Sequence, residues 1–195
     1  MRIGVLGGGQ LGRMLGSAGE SLGFSFAFLE PADECPAAAT GSWIRAGFGD
    51  AEALRELASR SDLITYEFEN VPVEAVRTLS EHRPVHPSAV SLEAAQDRLN
   101  EKALFHRLDI PTPRFEAVEG GGELARAVER LGLPAVLKTR RMGYDGRGQR
   151  VLRGADDLAP ALAALGERPL LLEQHIPFER ELSIIAVRRG DGETR

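Results

Sequence analysis

Two rhythms of apolar and polar residues alternate along the first part of the chain. MRIGVL (1–6), FSFAFLEP (24–31) and LITYEFE (63–69) are apolar runs of strand length, whereas GQLGRMLGSAGESLG (9–23), DAEALRELASRS (50–61) and PVEAVRTLSEHR (72–83) space their apolar residues as helices do. The glycines within 9–23 predict breaks in that helix. Strand and helix in alternation predict parallel strands with right-handed crossovers, a small open α/β sheet. Pro84, Pro87 and Ser88 close it, with Ser88 as candidate N-cap of a single helix over AVSLEAAQDRLNEKALFHRL (89–108).

The pattern changes after IPTPRF. A helix in ELARAVERLG (123–132) is followed by LPAVLKTR (133–140) and QRVLR (149–153), two strands joined by a long glycine-rich hairpin. A helix in DDLAPALAAL (156–165), an apolar strand in PLLLEQHI (169–176) and a last pair of strands around GDG complete a second, α+β domain. AVEGGGE (117–123) reads as a mobile surface loop. The expected division is 1–88, a helical connection over 89–113, and 114–195.

Composition narrows the function classes. With 195 residues, 43% of them hydrophobic, the chain can bury a real core in one or two domains. A net charge of −5 argues against a broad electrostatic grip on nucleic acid or acidic lipid. No run approaches the roughly 20 apolar residues of a membrane span, and no leader precedes the first strand, so a cytoplasmic protein is expected. Cys35 has no partner for a disulfide and reads as a plain loop thiol; His82, His86, His106 and His175 lack metal-ligand spacing. Of 24 basic residues, all but Lys102 and Lys138 are arginine. Either lysine is kept where a compact ammonium is needed, or it has survived by chance. Lys102 reads as solvated, on a helix surface beside Asp97 and Glu101.

Two glycine clusters carry candidate chemistry. Gly7, Gly9 and Gly12 fit G-x-G-x-x-G between strand and helix, which alone suggests NAD, with Glu30 as the apparent acid after the second strand. In AVLKTRRMGYDGRGQRVL, Lys138 ends an apolar strand and Gly143, Gly146 and Gly148 follow. Glycines let backbone N–H groups converge on phosphate oxygens while the lysine adds a point charge, although the spacing is not that of a P-loop. The same stretch also fits an ordinary surface hairpin. Glu173 ends the strand LLLEQHI, and alternation in ERELSIIAV places Glu181 opposite Leu182 and Ile184. Such a carboxylate suits a ribose hydroxyl pair, or a solvated strand edge.

The order DRLNEK, VLKTRRMGYDGRGQ, LLLEQHI, RELSII resembles the ATP-grasp enzymes, whose nucleotide lies between two α+β subdomains. GGGQLGRM, LEPADECPA and TYEFENVP narrow the resemblance to the N5-carboxyaminoimidazole ribonucleotide synthetase family of purine biosynthesis, over essentially the whole chain. It implies a Rossmann-like pre-ATP-grasp sheet followed by an ATP-grasp domain. It further implies ATP-dependent carboxylation of 5-aminoimidazole ribonucleotide, through carboxyphosphate formed from bicarbonate, with ADP and phosphate released. Carried over by motif, Arg98 and Lys138 match phosphate-contacting cations, and Gly143, Tyr144, Asp145, Gly146, Arg147, Gly148 and Gln149 match the phosphate loop. Glu173, Gln174, His175 and Ile176 match the adenine-reading segment, and Glu181 the ribose-binding carboxylate. Gln10, Leu11, Glu67, Tyr144 and Asp145 match positions near the aminoimidazole ribonucleotide. Asp145, with Lys138 a candidate catalytic group, either orients the substrate amine or serves as a turn aspartate.

On this resemblance the GGGQLG turn faces the phosphoribosyl substrate through the N-terminus of its helix, and Glu30 belongs to a structural turn. ATP and Mg2+ are the implied cofactors, with metal ligands expected beyond residue 195, so residues 1–195 alone are not expected to turn over. A homodimer is implied as well. Two other readings stand beside this one. A sister ATP-grasp ligase would formylate glycinamide ribonucleotide or carboxylate biotin; a nicotinamide-dependent oxidoreductase or a non-catalytic nucleotide-binding module would rest on the glycine turn.

Overall fold

A computed structural model describes residues 1–143, 146–166 and 168–195. Four parallel strands, β1 (Arg2–Leu6), β2 (Ser25–Leu29), β3 (Ser42–Ile44) and β4 (Leu63–Tyr66), form a first sheet in the order β3-β2-β1-β4. Helices α1 (Gln10–Glu20) and α2 (Ala51–Ser59) supply the crossovers β1 to β2 and β3 to β4, and α3 (Val73–Ser80) leads from β4 to an isolated parallel bridge between Val85 and Ile64. Side chains alternate across β2. Phe26 and Phe28 pack on one face with Ile3 and Val5, while Ala27 and Leu29 join Leu54, Leu57, Val76 and Leu79 on the other. This buries both faces, as a parallel sheet requires.

Helix α1 is continuous, contrary to the expected breaks. Its buried residues are Gly12, Gly16 and Gly19, one helical face. A Cβ on Gly19 would lie 2.3 Å from the Phe26 ring, so the glycines bring the helix against the aromatic face of the sheet. Strand β3 is an addition to the expected elements. Its three residues are too few to show alternation, and its Trp43 donates to the Glu30 carbonyl at 3.0 Å.

The expected single helix over 89–108 is two, α4 (Ala89–Gln96) and α5 (Arg98–Arg107). The break falls on Asp97, whose φ of −125° and ψ of 117° are extended. Its carboxylate accepts from the backbone N–H of Leu99 at 3.0 Å, capping α5, and from Nε and Nη2 of Arg140, both at 2.9 Å, while the third nitrogen, Nη1, reaches Glu119 at 3.3 Å. Arg141 adds a third side-chain contact at 3.2 Å. A bidentate guanidinium on a buried carboxylate outweighs the one or two helical hydrogen bonds lost at the break. Ser88 caps α4 as expected.

The second sheet is antiparallel. It comprises β5 (Phe115–Val118), β6 (Ala135–Thr139), β7 (Gln149–Leu152) and β8 (Leu170–Gln174) in the order β5-β8-β6-β7. Helices α6 (Gly121–Leu131) and α7 (Leu158–Leu165) cover one face through Leu124, Ala127, Ala161 and Leu165. AVEGGGE is therefore not a loop: Ala117 and Val118 end β5, and Gly121 starts α6. Burial of the apolar face of ELARAVERL offsets the poor helix propensity of its leading glycines. The expected strands around GDG reduce to one isolated bridge, Arg188 with Thr194, and neither sheet includes residues 177–195. No helix among the described residues is long and apolar enough to cross a membrane.

Burial pushes the Asp97 carboxyl up, but hydrogen bonds from Arg140, from the Leu99 N–H and from Arg141 outweigh it and hold the group below its ordinary value. The stabilisation is then complete above the ordinary carboxylate pKa of about 4 and fades as pH falls through the lower folded-state value. Asp97→Asn is expected to lower the unfolding free energy by about 3 kcal/mol at neutral pH, with the deficit shrinking toward about pH 3. Urea unfolding of both proteins across that range checks this; a deficit independent of pH would refute it.

Candidate functional site

Along β6, Ala135, Leu137 and Thr139 point into the core, and Val136 and Lys138 onto the open face of the second sheet. Register places Glu173 beside Val136 and Gln149 beside Lys138, so all four share that face. The Lys138 ammonium lies 2.8 Å from one Glu173 oxygen. The other oxygen is 3.2 Å from Lys102, which reaches across from α5. Lys102 is thus not solvated: only 8% of it is exposed, and its ammonium also stands 5.6 Å from the centre of the Phe115 ring. Its helical neighbours misled, because its partner lies on a distant strand. The signal that could have found it was compositional, since the only two lysines of the chain hold the same carboxylate.

In front of this pair opens a cavity of about 360 Å³. Lys138, Gln149, Glu173, Gln174, His175, Ile176 and Glu181 line it together with the apolar Val136, Val151 and Phe178. The cavity thus brings together the phosphate-loop end, the expected adenine segment and the expected ribose carboxylate. Glu181 arrives on a segment without regular secondary structure, not on the strand whose alternation was expected to orient it. The Gln174 and His175 N–H groups already donate to the Arg114 and Pro134 carbonyls, at 2.9 and 3.3 Å.

Arg98, the first residue of α5, sits at the root of the glycine stretch. It donates to the carbonyls of Thr139 at 2.9 Å and Gly143 at 3.0 Å. A Cβ on Gly143 would stand 2.9 Å from that guanidinium, and one on Gly148, whose φ is +73°, 2.6 Å from the Thr139 hydroxyl. Both glycines are therefore demanded by close approach. The Thr139 hydroxyl is buried without a hydrogen-bond partner among the described residues, while its N–H donates to the Gly148 carbonyl at 2.8 Å. Gly146 and Arg147 lie exposed in the turn before β7. Tyr144 and Asp145 lie outside the described residues.

The first glycine cluster is used differently. Glu67, just past β4, accepts from the N–H groups of Gly9, at 2.8 Å, and Gly12. Glu30 accepts from Gly8 and from Ala32, both at 2.9 Å. A Cβ on Gly7 would fall 2.5 Å from the Glu67 side chain, and one on Gly12 2.7 Å from its carboxylate. The glycines clear room for Glu67, which occupies the anion position that the positive end of α1 provides. Two N–H groups of the helix end expected to face the phosphoribosyl substrate thus already hold an internal carboxylate. Gln10 and Leu11 stand exposed on the first turn of α1. Cys35 packs behind the turn, 3.4 Å from the Gly8 carbonyl, and burial raises its thiol pKa.

Comparison with known proteins gives this geometry a context. Residues 1–96 match the ribonucleotide synthetase preATP-grasp domain, and residues 103–195 the ATP-grasp domain. The chain is 55% identical, over its whole length, to N5-carboxyaminoimidazole ribonucleotide synthase of Pseudomonas aeruginosa, of which it covers 54%. The crystal structure of the Thermus thermophilus synthetase superposes with a TM-score of 0.88 at 50% identity, covering 99% of this chain and 52% of that one. The Aspergillus clavatus synthase, in complex with ADP and 5-aminoimidazole ribonucleotide, superposes with a TM-score of 0.80 at 33% identity over 91% of this chain and 47% of that one. The two matched domains place the protein in the ATP-grasp class. Within that class the chain belongs to the N5-carboxyaminoimidazole ribonucleotide synthetase family. It spans about half the length of the curated relatives it matches.

Glu67→Ala is expected to cost about 1 to 2 kcal/mol, the usual price of a lost cap, and to leave a vacant anion site at α1. Sulfate should then raise the thermal midpoint of the variant more than that of the wild type, beyond its general stabilising effect. Equal increments in the two proteins would show that Glu67 does not occupy such a site.

Proposed function

We propose that the chain forms the nucleotide-binding part, and some of the ribonucleotide-binding part, of an enzyme that carboxylates 5-aminoimidazole ribonucleotide with bicarbonate at the expense of ATP. The observation that carries this reading is the convergence of Lys138, Gln149, the segment Glu173–Ile176 and Glu181 on one cavity beside the pinned glycine stretch. Complexes of a relative with ADP and 5-aminoimidazole ribonucleotide support the choice of ligands.

In this reading the apolar Val136, Val151 and Phe178 flank the base, Glu181 accepts from the ribose hydroxyls, and Lys138 directs its charge at the phosphates. Arg98 acts on the root of the phosphate loop by holding the carbonyls of Thr139 and Gly143. Phosphoryl transfer to bicarbonate needs positioning and positive charge more than covalent help. Closure of residues 143–149 over the phosphates would keep water from carboxyphosphate. Tyr144 and Asp145 are assigned to the aminoimidazole by their motif alone, Asp145 to orient its exocyclic amine. Gln10, Leu11 and Glu67 take the ribonucleotide at the end of the first sheet, Glu67 as an acceptor for hydroxyl groups.

Magnesium supplies charge neutralisation on the phosphates in ATP-grasp chemistry. Among the described residues no group of three or more His, Cys, Asp or Glu side chains could hold it, so no step here is assigned to it. A cytoplasmic homodimer completes the proposal.

With magnesium and ATP, the native full-length protein is expected to release ADP only when aminoimidazole ribonucleotide and bicarbonate are both present, and to carry labelled bicarbonate into an acid-labile carbamate. Lys138→Ala should lower kcat/KM at least about a hundredfold, as loss of a transition-state charge does, whereas Glu181→Gln should act mainly on the KM for ATP. ADP release indifferent to the ribonucleotide would refute the assignment.

A further inference from the structure

We propose that Lys102 is a positioning residue for the nucleotide phosphates: it keeps Glu173 compensated, so that Lys138 can turn from that carboxylate to an incoming anion. The inference rests on the nucleotide reading of the cavity. It begins from an asymmetry in the triad. Lys138 lines the cavity and its side chain is 23% exposed, whereas the Lys102 side chain, at 10%, is closed in by Glu173 and Phe115 and does not line the cavity. One ammonium faces the ligand; the other faces only the carboxylate.

Charge counting gives the arrangement a purpose. Glu173 is 6% exposed, and a buried carboxylate stripped of its only cation would be strongly unfavourable. With a single lysine, a phosphate oxygen could engage Lys138 only by competing with Glu173 for it, and it would meet a pair of zero net charge. With two lysines the triad carries one net positive charge before the ligand arrives. Lys138 can then move while Lys102 holds the carboxylate. A compact ammonium suits this sharing, since each lysine takes one oxygen of Glu173, whereas an arginine fork would claim both. The rest of the chain's 24 basic residues are arginine, which fits a specific demand for lysine at these two positions.

The test is a double-mutant cycle on ATP affinity in the native full-length protein, measured calorimetrically for wild type, Lys102→Met, Glu173→Gln and the double variant. Lys102→Met is expected to weaken ATP binding at least about tenfold, while adenosine, followed by competition, changes less than about twofold, because adenosine brings no phosphate to Lys138. On the Glu173→Gln background the same substitution should leave ATP affinity unchanged. If Lys102→Met alone fails to fold, the comparison of Glu173→Gln with the double variant, in which the buried carboxylate is gone, decides the matter by itself. Equal ATP affinity in those two supports the proposal, and a further fall overturns it. Parallel losses of ATP and adenosine in Lys102→Met would also overturn it, as would unchanged ATP affinity. A wild-type protein that binds no ATP would instead overturn the nucleotide reading on which it rests.

Discussion

The Asp97 carboxylate determines where the second domain finds its cations. By taking two nitrogens of Arg140 it ends α4, and by capping Leu99 it starts α5 one residue later. Arg98 is thereby set at the root of the glycine stretch, where it holds the carbonyls of Thr139 and Gly143. One turn further, Lys102 is carried over Phe115 and onto Glu173. An unbroken helix through residue 97 would rotate and displace both side chains, since successive residues of a helix turn by about 100°. A single buried ion pair at the joint between helix and sheet thus fixes the loop anchor and the internal counter-ion together.

The two glycine clusters show how one residue type can serve opposite electrostatic ends. Around Gly7, Gly9 and Gly12 the missing side chains make space for the chain's own carboxylate, and the partial positive charge of α1 is satisfied internally by Glu67. Around Gly143 and Gly148 the missing side chains allow close approach to a guanidinium and a hydroxyl, and carbonyls are drawn inward. The first arrangement consumes anion-binding capacity. The second places cations beside an open cavity.

Much of this was legible in the sequence, and the misses have identifiable physical causes. Strands β1, β2, β4, β6 and β8 lie within apolar runs long enough to register and β7 reads as the return arm of a hairpin, while β3 and β5 depend on the neighbours they pair with. The break at Asp97 was hidden because its cause, Arg140, lies on another element. The burial of Lys102 was hidden for the same reason, as adjacent charges on its own helix suggested solvent while the deciding carboxylate sits in β8. The glycines of α1 and α6 read as breaks or loop because propensity is local, whereas what keeps them helical is packing on a sheet. Lys138, Glu173, Gln174, His175, Ile176 and Glu181 were all named from motif and spacing, and they share one cavity. What the motifs could not convey was the pairing of Glu173 with the two lysines.

That pairing bears on why an anion should settle in this half of the molecule at all. The chain carries a net charge of −5, so a phosphate approaching at random meets repulsion more often than attraction. Near the α5–β6 junction the local balance is reversed. Glu173 is outnumbered by Lys102 and Lys138, two cations to one buried carboxylate, whereas around Asp97 the cations Arg140 and Arg141 are balanced by Asp97 and by Glu119, which lies 3.3 Å from Arg140. Each buried carboxylate fixes its cations in place against their mutual repulsion, and the Glu173 group keeps one net positive charge. Low local polarity strengthens that residual field, because charges interact more strongly away from bulk water. The buried acids therefore do not weaken the site. Glu173 is what allows two like charges to be held together, one of them, Lys138, at the edge of the cavity, ready for a ligand more negative than any side chain.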